Sequence, residues 1–268
     1  MRVWALPLAL LALAICVTYS VARRHQTAPP ATPIVPYKAA VVDPAALAKR
    51  LVSMQYGSGW PRSRKFDCSK LKCVALTFDD GPGEYTARLL DLLHRRDVKA
   101  TFFVIGQMVA ADKGGHLVRR IVEDGHEIGN HSWSHPALTG LSRDGVERQL
   151  RHTDDLVFKL TGVRMHVMRP PYGSTNEAVA EESRREGLAQ ILWNVDTLDW
   201  LNRVPTIVAR RAGEAKPGSI ILMHDIHRTT VEAVPAILDI LGRKGFTFVT
   251  VSELYGRTPS PGRTYTER

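Results

Sequence analysis

From residue 67 onward, short apolar runs alternate with charged segments. The runs 74–78, 101–105, 127–131, 166–169, 191–196, 219–224 and 246–251 are rich in β-branched or aromatic residues, as buried strands are. The segments between them carry helical spacing. In 84–96, Tyr85, Leu89, Leu92 and Leu93 share one face, and Glu84, Arg88, Asp91 and Arg95 lie opposite. Segment 142–160 opens on Ser142, a good capping residue, and repeats apolar positions through Val146, Leu150, Val157 and Leu160. Segment 229–242 runs from a threonine pair to Gly242, the start and stop signals of a helix. About seven strand–helix units result, which predicts a parallel α/β sheet covered by helices. Over roughly 190 residues that count is short for a regular eight-fold barrel. A distorted (β/α) barrel of about seven units is therefore expected, with an open doubly wound sheet as the alternative. In both, ligands bind at the C-terminal ends of the strands.

The flanks lack this alternation. Residues 3–22 are apolar, follow Arg2 and precede Arg23 and Arg24; Ser20, Val21 and Ala22 form a small-x-small cleavage signal. The stretch is also close to the ~20 residues that span a bilayer. Residues 1–22 thus read as a signal peptide or a signal anchor. Either implies export, with the protein secreted or anchored to the outer face of the cytoplasmic membrane. Residues 23–66, with many prolines and alanines, read as a linker, and 257–268, with Pro259 and Pro261, as a disordered tail. The folded domain is then 67–256. Cys68 and Cys73 precede its first strand, and export would place them where disulfides form. Five extended residues separate Cα atoms by ~17 Å, so a bridge needs a turn. Ser69 and Lys70 permit one; two reduced thiols are the alternative.

Composition narrows the class of partner. With 44% hydrophobic and 24% charged residues the chain is not disordered, and its single long apolar stretch excludes a polytopic membrane protein. Lys and Arg number 36 against 27 Asp and Glu, a net charge of +9 that favours polyanions. No nucleic-acid motif accompanies that charge, and export separates the chain from nucleic acid, so none is expected as partner. Anionic lipid and an anionic cell wall remain, and charge does not choose between them.

Polar residues collect where the strands end. The first strand runs into Asp79, Asp80, Gly81 and Pro82. Successive strand residues face opposite ways, so one aspartate suits a metal and the other a water; a capped turn explains the pair equally well. The third strand leads to His131 and His135, whose imidazoles would meet at one point in a helical turn, as metal ligands must. By chance alone, ten histidines give on the order of 0.4 pairs at any one offset, so the pair is weak evidence in isolation. The fourth strand ends at Arg169, Pro170, Pro171, Tyr172 and Gly173, a stiff turn able to present one N–H to an oxyanion, or a purely structural one. The fifth ends near Asp196 and Asp199, the sixth at Leu222 and His224. Each feature is bland alone; five in succession at five strand ends are not.

Taken in order, the Thr77–Pro82, His131–His135, Arg169–Gly173, Asp196–Trp200 and Leu222–His224 stretches resemble the five motifs of the NodB-type polysaccharide deacetylases, carbohydrate esterase family 4. The similarity runs from about residue 73 to residue 254, with no departure at a chemical position. The resemblance implies a distorted (β/α) barrel with one divalent metal ion, commonly zinc, held by Asp80, His131 and His135. It implies Asp79 as general base, Arg169 as the cation that orients it, and Tyr172 N–H as oxyanion donor. His224 would be the acid, paired with Asp199, although Asp196 competes for that role. Leu222 and Trp200 would enclose the acetyl methyl. The implied reaction is removal of acetyl groups from N-acetylated sugars of a polysaccharide. Peptidoglycan N-acetylglucosamine is the expected substrate, for a monomeric enzyme with at most one N-terminal membrane anchor. Chitin oligosaccharides, acetylxylan and a catalytically silent carbohydrate-binding protein are the alternatives.

Overall fold

Nine strands build one sheet in a computed structural model that describes residues 64–268. The apolar segment 1–22 and most of the expected linker lie outside the described residues. The strands are β1 Lys72–Asp79, β2 Thr101–Val104, β3 Glu127–Asn130, β4 Val167–Met168, β5 Ala189–Ile191, β6 Val195–Asp196, β7 Ile220–His224, β8 Phe246–Val249 and β9 Thr264–Tyr265. Their order is β6-β7-β1-β2-β3-β4-β5-β9, all parallel. β8 pairs with the first half of β1, Lys72 opposite Phe246, and β2 with its end, Thr77 opposite Thr101. This change of neighbour along β1 is one distortion of the barrel. The other is the run 191–196, expected as one strand: it is broken after Ile191, and β6 turns away to pair with β7.

The helices are α1 Thr86–Arg95, α2 Gly106–Ala111, α3 His116–Glu123, α4 Arg143–Thr161, α5 Glu177–Arg185, α6 Asp199–Asn202, α7 Pro205–Ala212, α8 Arg228–Arg243 and α9 Val251–Tyr255. The predicted faces are the buried ones. α1 buries Leu89, Leu90 and Leu93, and α8 buries Val231, Val234, Ile237, Leu238 and Leu241. The Ser142 hydroxyl accepts from Gly145 N–H at 3.2 Å and starts α4; Gly162, at φ 75°, ends it.

Alternation along β1 separates two cores. Val74, Leu76 and Phe78 join the cluster under the helices. Cys73 and Ala75 face the barrel interior with Phe103, Val167, Ile191 and Ile220. Thr77 and Asp79 continue the interior row, so the polar end of β1 opens into the barrel mouth. Cys68 and Cys73 are joined by a disulfide, their Cα atoms 5.4 Å apart; the turn it needs is made by Lys70 and Leu71 N–H groups donating to Asp67 O. The closed loop is short, so replacing both cysteines by alanine should cost about 2 kcal/mol in a urea melt.

The disordered tail expected at 257–268 is a docked strand instead. β9 lies beside β5, Ser219 bridges Glu267, and Arg268 N–H donates to Gly218 O at 3.0 Å. The segment bonds through backbone groups, which leave no hydrophobic period to read. The linker boundary also shifts: Arg64 already pairs with Glu253 at 2.9 Å.

Candidate active site

All five polar strand ends meet at one mouth. A cleft of about 440 Å³ is lined by Asp79, Asp80, His131, His135, Pro170, Tyr172, Trp193, Asp196, Trp200, Leu222 and His224. Asp79 ends β1 on the interior face. Asp80 would point to the helix side, but its φ of 72° turns the chain, and its carboxylate comes back over the mouth. Gly81 is required here by close approach: a Cβ would lie 2.4 Å from Asp225 Oδ2, in the carboxylate that accepts the Thr86 hydroxyl.

Asp80 Oδ1 lies 3.4 Å from His131 Nε2 and 3.5 Å from His135 Nε2. The two histidines do not sit on a helical turn as their spacing suggested. They flank an irregular loop in which Ser132 and His135 both have positive φ, 67° and 60°. That loop is held by side chains: Asn130 Oδ1 accepts from Ser132 N–H, Ser132 Oγ from His135 N–H, and Gln149 Oε1 from Trp133 and Ser134 N–H. Non-glycine residues in the left-handed region are uncommon, and Asp80, Ser132, His135, Tyr172 and Leu198 gather around this mouth.

The cluster fits a metal ion on its own geometry. One ligand atom from each of Asp80, His131 and His135 lies within 4.8 Å of the others. Asp80 Oδ1 is buried without a hydrogen-bond partner. His131 Nδ1 donates to Arg169 O at 2.7 Å, which leaves Nε2 as the free lone pair facing Asp80. Burial depresses His135, and a proton on His131 would depress it further, which favours the neutral ligand. Burial alone would raise Asp80; while the surrounding His131, His224 and His135 carry protons, their charge overcomes this and brings it to about 2.

Asp79 is held differently. Its Oδ1 accepts from Arg169 Nη1 at 2.8 Å, while Oδ2 lies 3.7 Å from His131 Nε2. Arg169 is wholly buried, lies 4.3 Å over the Phe103 ring, and also donates to Thr77 Oγ1, Ile191 O and Leu192 O. Four of the five guanidinium N–H groups are used, which fixes the carboxylate it grips.

Across the mouth, His224 ends β7. Its Nδ1 donates to Asp199 Oδ1 at 2.9 Å; Asp199 Oδ2 accepts from His224 N–H and from the Thr230 hydroxyl, both at 2.7 Å. Asp196 instead accepts from Leu198 N–H at 2.8 Å and shapes a turn, so Asp199 is the partner of His224. Burial opposes a charged His224, yet the Asp199 hydrogen bond and charge prevail and push it up to about 9. His224 Nε2 faces Asp80 Oδ2 at 4.0 Å. Tyr172 sits in the Pro171–Gly173 turn at φ 62° and, with Trp200, is exposed at the rim; Leu222 is buried in the wall.

Thr77, Gln149, Thr230 and Trp193 carried no expected role at the site. Thr77 alone had a readable signal, a polar residue on the inward period of β1. The others act through contacts between elements distant in the chain.

A parallel (β/α) barrel with an Asp-His-His cluster, an arginine-held carboxylate and a histidine–aspartate pair at its mouth is the arrangement of a candidate metal-assisted acid–base site. The chain belongs to the polysaccharide deacetylase family: the family model for polysaccharide deacetylase matches residues 67–191. The Listeria monocytogenes peptidoglycan-N-acetylglucosamine deacetylase PgdA is 46% identical over 199 residues, covering 74% of this chain and 42% of that protein. This chain thus spans about two fifths of that relative. A peptidoglycan-N-acetylglucosamine deacetylase of Bacillus cereus is 35% identical over 232 residues, covering 80% of this chain and 84% of that protein. The solved structure of T48 deacetylase with substrate superposes with TM-score 0.71 at 44% identity, over 75% of this chain and 99% of that one.

Proposed function

We propose that this chain hydrolyses the acetamide of N-acetylglucosamine in peptidoglycan, using one zinc ion held by Asp80, His131 and His135. The observation that carries this reading is the convergence on one cleft of a metal-ligand set, a fixed carboxylate and a histidine paired with a buried aspartate. When bound, the metal supplies Lewis-acid chemistry, polarising the acetyl carbonyl and making water acidic near neutrality. Asp79 takes the proton of the attacking water at Oδ2, since Oδ1 is engaged by Arg169. Tyr172 N–H donates to the carbonyl oxygen as negative charge develops there. His224 protonates the departing amine from Nε2, because Nδ1 is committed to Asp199. Leu222 and Trp200 receive the acetyl methyl.

The names of the Listeria and Bacillus relatives support peptidoglycan as substrate. The +9 charge suits an anionic wall, and the apolar segment 3–22 supports export, as a secreted or singly anchored monomer. Acetate release by the purified protein from peptidoglycan, chitin oligosaccharides and acetylxylan, with and without chelator, tests the reading. Release from peptidoglycan that chelation abolishes is the expected result. Release from another polymer alone reassigns the substrate, and no release leaves a silent binding protein.

The charge of His224 sets a pH dependence. The acid works protonated, so the rate should fall as pH rises through its pKa, above neutrality. Asp199→Asn removes the partner that raises His224, and burial then depresses it. The falling limb should move to lower pH in a pH–rate profile. His224→Ala should slow amide hydrolysis more than hydrolysis of an activated acetyl ester, whose leaving group needs less protonation. Equal losses on both substrates would assign His224 another task.

A further inference from the structure

Two of the four groups that hold Arg169 are the carbonyls of Ile191 and Leu192, each at 3.0 Å from its guanidinium. They belong to the last residue of β5 and the one after it. β5 is a three-residue strand whose other neighbour, β4, has only two residues. Such a short strand with one open edge frays. β9 closes that edge. Gln190 N–H donates to Arg263 O at 2.9 Å and Leu192 N–H to Tyr265 O at 2.7 Å. β9 is fastened in turn: Tyr265 Oη accepts from Ser260 N–H, Tyr255 Oη donates to Glu267 O at 2.8 Å, and the two tyrosine rings meet edge to face at 4.8 Å. Asn194 Nδ2 bonds both Ser219 Oγ and the Glu267 carboxylate, which ties the far end of the segment to the base of β7.

We infer that residues 257–268 are a positioning strand for the base. They hold the 190–194 segment, that segment holds the Arg169 guanidinium, and Arg169 holds Asp79. The consequence for turnover rests on the role proposed for Asp79; the coupling to Arg169 does not. The metal-ligand residues follow β1 and β3, so loss of the strand is expected to spare the metal and to misplace the base.

The metal-loaded full chain is compared with a chain ending at Gly256. It is also compared with folded protein cut at a protease site inserted after Arg257, in an exposed turn, and freed of the released peptide, which preserves the test if the shortened chain does not fold. Loss of the strand should lower kcat about 100-fold, the scale of a 1 Å misplacement, with KM and metal content little changed. A synthetic 257–268 peptide should restore the rate saturably. In an Arg169→Lys background, which lacks the fork that reads both carbonyls, the same loss should cost no more than about twofold, because residues acting through one another are not additive. Apart from turnover, Arg169 Nε–H should exchange with solvent at least about tenfold faster without the strand, while β1 and β2 amides stay protected. A kcat within about twofold of the full chain, equal losses in both backgrounds, loss of metal, or unchanged Nε–H exchange overturns the inference. A full chain that releases no acetate yet shows faster exchange on removal of the strand overturns the proposed function and supports the strand's role.

Discussion

Asp79→Asn is expected to keep its metal and to lose about 10²–10⁴-fold in kcat, the range supplied by a positioned general base. The amide is nearly isosteric with the carboxylate, and its oxygen still accepts from Arg169 Nη1. Geometry is therefore preserved while the basic oxygen is lost. Asp79 is not within the Asp80, His131 and His135 ligand set, so metal analysis should give the wild-type stoichiometry. Asp80→Asn should do the reverse and weaken the metal first. An emptied site in Asp79→Asn, with a full one in Asp80→Asn, would exchange the two roles.

Replacing both His131 and His135 by alanine should remove bound metal and bring acetate release to background. Asp80 is then the one ligand left, against the three protein ligands usual for a catalytic zinc. The effect should far exceed the ~10–100-fold that follows loss of an outer partner such as a ligand's hydrogen-bond acceptor. Metal analysis reads the outcome directly, and chelation of the wild type followed by metal addition should lose and restore the same activity. Stoichiometric metal in the double variant would sink the assignment.

Much of the barrel was legible in the chain. Parallel strands buried on both faces must be apolar throughout, so β1, β2 and β7 announce themselves, and α1, α4 and α8 carry the 3.6-residue period of a face on the core. Short elements did not. α2 and α6 are too short to show a period, and β9 is held by backbone hydrogen bonds and Tyr265. The sheet order was hidden as well, since β8 and β2 share β1 only through the curl of the barrel.

For the site, residue type and order along the chain determined which groups stand at the strand ends, because a strand's C-terminus must open into the mouth of a (β/α) fold. What each group does was decided by tertiary structure. Asp199, three residues beyond Asp196, is the partner of His224 because Thr230 and the His224 N–H converge on it from β7 and α8. His131 and His135 meet because left-handed residues and Gln149 shape their loop, where a helical turn would have served from spacing alone. Arg169 grips Asp79 through carbonyls that β9 holds in place from the far end of the chain. Local sequence carries the periods of strands and helices. A hydrogen bond between residues 16 to 90 apart, as these are, has no period, and only the folded chain brings its two ends together.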